Sequence, residues 1–444
     1  MKKTTLAFCI AALFTAAGVN SSAYADEAEL LQRLDKLGNE IEALKAELKR
    51  IKEEKEREKS AQLTAPAPIA PAQAQVAAAP QPGLTMPGLS SFASGQTTLF
   101  GYGEINYNRP LRDSSKTQAD VRRFVLGVGH RFNEKTELAA ELENEHAIAS
   151  SGDKGEMAVE QLYIDHRPID NLTIRGGLFL VPLGLINERH EPPTFYGVER
   201  NFVETAIIPT TWREGGVLLR GHSDSGLQWD AGISTGFDLS KWNAASGEGR
   251  ESPLGSIHQE LSLAKARDLS ILGAINWRGT PGLNLGGGFF TGKAAQGTPG
   301  FAAPAARITL VEAHAKWTPG AWDISALYAK GTISNTEALN LTFVGNPTLV
   351  PKEFWGAYGQ VAYKLWSQGD YSLSPFIRYE RFNTAAKFAD IGAGLTPEAA
   401  ATESVITTGA SFRLHPNVVL KADYQKFKVD NLRDRFNLGL GFMF

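Results

Sequence analysis

Short turns alternate with longer polar connections along most of this chain, and this alternation constrains the fold more than any other sequence feature. Seven tight turn signals lie between residues 133 and 417, and runs typical of β-strands flank each of them. The longer connections lie near residues 109–121, 147–156, 182–210, 238–267, 292–306, 333–352, 383–403 and 429–432. Strict alternation puts all short connections at one end of an antiparallel array and all long ones at the other. The pattern predicts sixteen antiparallel strands.

Apolar and polar side chains alternate within these runs. In the last run, Phe436, Leu438 and Leu440 share one face, whereas Asn437 and Gly439 share the other. An apolar face that meets lipid requires a closed sheet, because an open edge would leave backbone groups unpaired in hydrocarbon. A soluble all-β sandwich, the alternative, would show similar alternation. We predict an all-β protein whose residues 97–444 form a sixteen-stranded antiparallel transmembrane β-barrel.

Two segments at the N-terminus differ in composition from the rest. Residues 1–25 combine Lys2 and Lys3, an apolar stretch and an Ala-x-Ala ending, which predicts a signal peptide. In residues 26–59, apolar side chains recur at alternating spacings of four and three from Leu30 to Ile51. This spacing predicts a short coiled-coil helix, with a lone solvated helix as the alternative.

Residues 60–96 carry no charge and are rich in Ala, Pro and Gln, which predicts an extended linker between the helix and the barrel. An even strand number places both ends of the barrel on the periplasmic side. The N-terminal segment is therefore expected in the periplasm.

The connection 182–210 is the natural constriction of such a barrel, because it is the third long loop, has 29 residues and contains four prolines. Its charged candidates for the pore are Glu188, Arg189, Glu191, Glu199, Arg200 and Glu204. Candidates on the barrel wall are Arg123, Arg175, Arg213 and Arg378. A basic wall that faces an acidic loop would set a transverse field across the passage. The alternative is that these charges form local ion pairs or are solvated.

One stretch of the chain resembles a known family. Residues 162–179 read LYIDHRPIDNLTIRGGLF and are followed by VPLG at 181–184. This stretch resembles the central strand pair of the phosphate-selective porin O and P family. The opening FGYGE at 100–104 and the final FMF are similar to the broader superfamily, which includes DcaP-like trimeric channels with a periplasmic coiled coil.

The resemblance implies a homotrimeric porin in the outer membrane of a Gram-negative bacterium, in contact with membrane lipid and with its third loop folded into the lumen. Such a channel admits small hydrophilic solutes or ions by passive diffusion, and phosphate or dicarboxylates are candidate anions. The barrel segment carries 34 Lys and Arg against 37 Asp and Glu, which lacks the basic excess expected of a phosphate-selective passage. The alternative function is a structural envelope linker, whose coiled coil contacts peptidoglycan or a periplasmic partner.

Other function classes find little support in the sequence. A formal charge of −3 gives no basic excess for nucleic acid. The eight histidines are scattered without metal-ligand spacing, and Cys9 lies within the predicted signal peptide. The sequence therefore predicts no catalytic residue, no metal site and no cofactor, and the protein is not expected to be an enzyme.

Overall fold

The computed structural model describes residue positions 42, 45, 46, 49, 50 and 95–444. The chain divides into two compact units, Met1–Gln81 and Pro82–Phe444. In the first unit the five described residues are helical and exposed, and Lys45 Nζ lies 2.9 Å from Glu42 Oε1. The predicted signal peptide, the coiled coil as a whole and the linker lie outside the described residues.

The second unit is one antiparallel sheet. Its strands are β1 (Thr97–Pro110), β2 (Gln118–Asn133), β3 (Thr136–Glu145), β4 (Glu156–Ile169), β5 (Leu172–Leu180), β6 (Arg213–His222), β7 (Leu227–Ser234), β8 (Ser270–Trp277), β9 (Leu283–Lys293), β10 (Arg307–Trp317), β11 (Trp322–Ser334), β12 (Glu353–Tyr363), β13 (Trp366–Gln368), β14 (Tyr371–Lys387), β15 (Glu403–His415), β16 (Val418–Phe427) and β17 (Arg435–Met443). Both β12 and the three-residue β13 pair with β14, so they form one wall strand. The wall therefore has sixteen strands, as predicted.

The sheet closes on itself. Strand β1 pairs with both β2 and β17, and Gly101 and Phe444 exchange backbone hydrogen bonds of 3.0 and 2.9 Å. Closure leaves no free edge between the first and last strands. A sheet surrounded by hydrocarbon requires this, because a free edge would leave backbone groups without hydrogen bonds. The prediction of a closed, all-β barrel is confirmed.

The two ends of the barrel differ. At one end short turns join the strands, and these turns coincide with the seven predicted turn signals. The long connections at the other end carry 3₁₀ turns at Ser114–Lys116, Pro192–Thr194, Leu239–Lys241, Gly255–Ile257 and Asn431–Arg433, a π-helical turn at Val203–Ile207, and α-helices at Glu248–Glu251 and Glu337–Thr342. No helix in the described part of the chain has the length and apolar character needed to cross a bilayer.

The outer surface is apolar. In β17, Phe436 and Leu438 are exposed, whereas the intervening Asn437 is buried on the inner side. Exposed tryptophans lie near the turn end of the wall, at positions 229, 277, 317, 322 and 366. An apolar band with aromatic residues at its margin is typical of a barrel surface that faces lipid.

The interior contains an apolar core at the long-loop end. Trp212, Phe237 and Phe290 pack together, with the Trp212 and Phe290 ring centroids 4.7 Å apart. The loops after β7 and β11 meet where Trp242 Nε1 donates to Thr348 O at 3.1 Å. Long loops therefore fill part of the barrel interior beside β6–β12, a feature that the sequence analysis did not predict.

Candidate functional site

The segment between β5 and β6 folds into the barrel and reaches the opposite wall. It includes residues 182–210, the predicted constriction loop. At its far end Val198 N donates to Asp423 Oδ2 in β16 at 2.6 Å, and Arg413 Nη2 in β15 donates to Pro193 O at 2.7 Å. The loop therefore spans the interior of the barrel from β5 and β6 to β15 and β16.

The local sequence explains how the loop turns. Gly184 and Gly197 adopt positive φ values of 80° and 89°, which side-chain-bearing residues rarely reach. Pro192 and Pro193 begin a 3₁₀ turn, where their fixed φ is already suitable and their missing N–H costs no hydrogen bond.

Glu204 joins the two ends of the loop. It is buried, and its Oε1 accepts hydrogen bonds from the backbone N–H groups of Leu185 and Ile186 at 2.6 and 2.8 Å. Its Oε2 accepts from Asn201 Nδ2 at 2.8 Å and from the hydroxyl of Tyr358 in β12 at 2.9 Å. Burial raises the pKa of Glu204, although these donors oppose the shift. The carboxylate thus fixes the base of the loop against the wall.

The tip of the loop is held by basic side chains of the wall. Arg378 Nη1 in β14 donates to Tyr196 O at 3.1 Å. Lys421 Nζ in β16 lies 3.6 Å from the centroid of the Phe195 ring, a cation–π contact that burial strengthens. Both wall cations therefore contact the loop.

A buried ion pair attaches the loop to β4. His190 Nε2 lies 2.6 Å from Glu160 Oε1, and the hydroxyl of Tyr102 donates to Glu160 Oε2 at 3.2 Å. Burial alone would lower the pKa of His190, but the neighbouring Glu160 carboxylate outweighs it and raises the pKa above the ordinary histidine value. The charged imidazole is thus the form that this contact favours.

The predicted wall arginines are paired with carboxylates. Arg123 contacts Glu104 at 2.9 Å and Glu143 at 3.1 Å. Arg175 makes two hydrogen bonds of 2.7 and 2.8 Å to Asp165. The guanidinium groups of Arg123 and Arg175 are buried, and these carboxylates compensate their charge within the wall.

The remaining wall candidates follow the same pattern. Arg213 contacts Glu143 at 3.7 Å and Glu260 at 3.0 Å, and Arg378 contacts Glu380 at 2.8 Å. The predicted division into a basic wall and an acidic loop is therefore not observed. The wall carries both signs of charge, because burying an arginine requires a nearby carboxylate.

The charged residues of the loop also have separate surroundings. Glu188 pairs with Arg220 of β6 at 2.9 Å, and Glu199 accepts hydrogen bonds from Asn106 and Asn108 of β1. Arg200 donates to Thr210 Oγ1 and to the carbonyl of His190. The Arg189 side chain is exposed and the Glu191 side chain is partly exposed.

Two cavities of opposite charge lie beside the loop. The cavity near the long-loop end has a volume of about 350 Å³, and its charged lining comprises Glu143, Glu145, Glu156, Glu260, Arg213 and His258. The cavity near the turn end has a volume of about 360 Å³, and its charged lining comprises Arg189, Arg278, Lys316, Arg378 and Glu188. Of the predicted site residues, the second cavity therefore brings together Glu188, Arg189 and Arg378, whereas the first contains Arg213. Neither cavity is lined by Arg123, Arg175, Glu191, Glu199, Arg200 or Glu204.

Arg278 and Lys316 are candidates that the sequence analysis missed. Both lie next to a turn at the turn end of the barrel. In the alternation of inward and outward side chains, both belong to the inward residues. Burial, and then the like charge of Arg189, lower the pKa of the Arg278 guanidinium. The two arginines therefore repel each other across the same cavity. Their inward alternation and their position next to turns were visible signals in the sequence.

Comparisons with known proteins agree with the fold. No protein-family model matches the chain. A protein of Aquifex aeolicus (strain VF5), which is described as an uncharacterized protein, is 33% identical over 362 residues, covering 78% of this chain and 80% of that protein. Salmonella typhi OmpF, solved in complex with daunomycin, has a TM-score of 0.55 and 14% identity, covering 79% of this chain and 98% of OmpF. The outer membrane channel DcaP of Acinetobacter baumannii has a TM-score of 0.52 and 13% identity, covering 80% and 99%.

Proposed function

Because this chain belongs to the same family as the Aquifex aeolicus protein and has the fold of outer-membrane porins, we propose that it forms a passive channel in the outer membrane. The observation that carries this proposal is the loop 182–210, which crosses a closed barrel and leaves a polar cavity of about 360 Å³ beside it. A cavity of this size suits small hydrophilic solutes or ions, and their passage needs no chemical step.

We propose that the channel prefers small anions such as phosphate or dicarboxylates. In the turn-side cavity, Glu188 is compensated by Arg220, and Lys316 is compensated by Asp323 at 3.4 Å. Among the described residues, no carboxylate lies within 4 Å of the guanidinium groups of Arg189 or Arg278. Two uncompensated positive charges at a narrow aqueous passage attract anions and repel cations.

The remaining parts of the proposal concern the assembly and the N-terminus. The resemblance to DcaP-like channels supports a homotrimer. In this arrangement residues 1–25 direct export, and the coiled coil at 26–59 and the linker at 60–96 lie in the periplasm. An envelope-linker role would depend on those segments rather than on the lumen.

A planar bilayer measurement tests the channel and its preference together. We expect the purified protein to give ohmic steps in groups of three, and its reversal potential in a salt gradient to show anion preference. Replacement of both Arg189 and Arg278 by Gln should lower the anion-to-cation permeability ratio about fourfold per charge, because a unit charge roughly 8 Å away in water changes the anion and cation permeabilities about twofold each, in opposite directions.

The matched control is Lys330→Gln, because Lys330 lies on the outer face of the barrel and pairs with Glu353. This variant should keep the wild-type reversal potential. An unchanged reversal potential in the double variant would contradict the anion preference. Absence of any conductance in the wild type would contradict the channel itself.

A further inference from the structure

The outer face of the barrel has a groove at the long-loop ends of β8, β9 and β10. The groove has a volume of about 420 Å³. Its cationic side chains are Arg267, Lys293 and Arg307, its one acidic side chain is Asp268, and its apolar ones are Leu269 and Ile271. Both apolar side chains are about half exposed, at 52% each, and belong to the lipid-facing band.

Two of the cations are direct neighbours across the β9–β10 ladder. Lys293 pairs in register with Arg307, and both lie on the outward face that also exposes Phe289 and Val311. Like charges placed directly opposite each other destabilise a sheet. A cross-strand pair of two bases therefore indicates a site that an anion completes.

Among the described residues, no carboxylate forms an ion pair with these bases, and Asp268, which lines the same groove, lies farther than 4 Å from their charged atoms. Within residues 95–444, none lies within 4 Å of the cationic groups of Arg267, Lys293 or Arg307. Arg307 Nη1 donates to Thr291 Oγ1 at 3.4 Å, and Arg267 Nη1 donates to Gly297 O at 3.4 Å. These partners are neutral, so neither guanidinium group is in an ion pair.

Two bases on the neighbouring part of the rim differ from those in the groove, because they are paired with a carboxylate. Lys330 of β11 and Lys387 of β14 also lie on the outer side, but Glu353 of β12 sits between them, 3.0 Å from each. These two outward bases are thus compensated by protein. The groove at β8–β10 combines an exposed apolar floor with three bases that form no ion pair with the described carboxylates.

We propose that this groove binds the phosphate-bearing headgroup of a lipid in the leaflet on the long-loop side. The phosphate contacts Lys293, Arg307 and Arg267, and the adjoining acyl chain covers Leu269 and Ile271. A lipid fits better than free phosphate, because the cations lie directly above a surface that faces hydrocarbon. The inference rests on the outer-membrane placement in the proposed function, but not on conduction through the lumen.

Native mass spectrometry of the full-length protein in detergent tests this site. The probes are diphosphorylated lipid A, the same lipid with its phosphates removed, and inorganic phosphate as a competitor. We expect lipid A to bind more tightly than the dephosphorylated lipid. Lys293→Gln combined with Arg307→Gln should weaken lipid A binding roughly fivefold per charge, which is the contribution of a base near an anionic lipid surface.

The matched control is Lys330→Gln combined with Lys387→Gln, which also removes two bases from the outer rim. It should reduce lipid A affinity less than about twofold, because exposed compensated pairs contribute little. Equal losses in the two double variants, or equal affinity for both lipids, would overturn the proposal. So would full displacement of lipid A by inorganic phosphate, which would assign the groove to the free ion.

Bilayer conductance of the same variants separates this proposal from the channel function. Both double variants should conduct like the wild type, because the four substituted side chains lie outside the lumen. A protein that binds lipid A selectively but never conducts would contradict the channel and leave the lipid site supported. A conducting protein without lipid selectivity would overturn only the lipid site.

Discussion

The contact between His190 and Glu160 shows how a single pair fixes the loop. Both side chains are buried, and their charged atoms lie 2.6 Å apart. Two charges in such a position stabilise each other only as a pair, because the loss of one partner leaves the other uncompensated in a poorly solvated site. The loop therefore depends on the protonation of one imidazole.

This dependence predicts a pH effect on stability. The pKa of His190 is raised above the ordinary value of about 6.5. The pair therefore contributes fully below about pH 6.5, and its contribution is lost as the pH rises through the raised pKa. We expect the thermal midpoint of the wild type, followed by tryptophan fluorescence in detergent, to fall over that pH range more steeply than that of His190→Gln.

The same variant has a second expected effect. At low pH His190→Gln should lower the free energy of unfolding by about 3 kcal/mol, because Glu160 then lacks its imidazolium partner. His222→Gln is the control, since His222 is exposed in a turn. Parallel pH profiles for the wild type and His190→Gln would show that another group controls the dependence.

At the scale of elements, the constriction loop is held at its tip by the side chains of four strands on the far wall. Asp423 of β16 accepts the N–H of Val198, and Glu380 of β14 accepts the N–H of Phe202 at 2.6 Å. Hydrogen bonds from a backbone N–H to a carboxylate are stronger than neutral ones. The position of the loop, and hence the width of the passage, should depend on them.

Asp423→Leu removes one of these acceptors and keeps the branched shape of the side chain, with methyl groups in place of the carboxylate oxygens. We expect single-channel conductance to rise and current noise to increase, because the tip loses its contact with β16. The control is Glu312→Gln, which removes one lumen carboxylate whose ion pair is with His314 rather than with the loop. Equal conductance changes in both variants would show that the lost charge, rather than loop release, is responsible.

The sequence predicts the elements better than the contacts between them. Alternation and turn signals are local, so the sixteen strands and the lumen loop could be anticipated. Arg175 and Asp165 lie on either side of one predicted turn, and they are register partners in the β4–β5 hairpin, whose register shifts between His166 and Ile169. Without this shift Arg175 would face His166, so turn position alone does not identify the ion pair, and the hypothesis of a basic wall facing an acidic loop did not include it.

Contacts between distant segments could not be read in this way. Arg213 and Glu143 come from β6 and β3, and Trp242 and Thr348 come from two different long loops. Their approach depends on barrel curvature and on how the loops pack inside it. For the same reason the apolar core at the long-loop end, which narrows the lumen, has no local sequence signature.

At the scale of the whole molecule, the stability of the barrel depends on the seam between β1 and β17 that closes it. At this seam the rings of Phe442 and Phe444 cover Gly103 and Gly101 of β1. A Cβ atom on Gly101 would lie 2.4 Å from the backbone oxygen of Val125 and 2.9 Å from the Phe444 ring. Glycine is therefore needed where β1 meets its two neighbours.

Gly101→Ala should consequently weaken the closed barrel as a unit. Because a backbone oxygen cannot move aside as a flexible side chain can, we expect overpacking to lower the free energy of unfolding by about 1–3 kcal/mol, measured by urea unfolding in detergent. Gly359→Ala is the matched control, since no atom lies within 4 Å of the added Cβ and β12 is remote from the seam. Its unfolding free energy should stay within about 0.5 kcal/mol of the wild type. Equal midpoints for Gly101→Ala and Gly359→Ala would mean that β1 can shift at the seam without loss of closure.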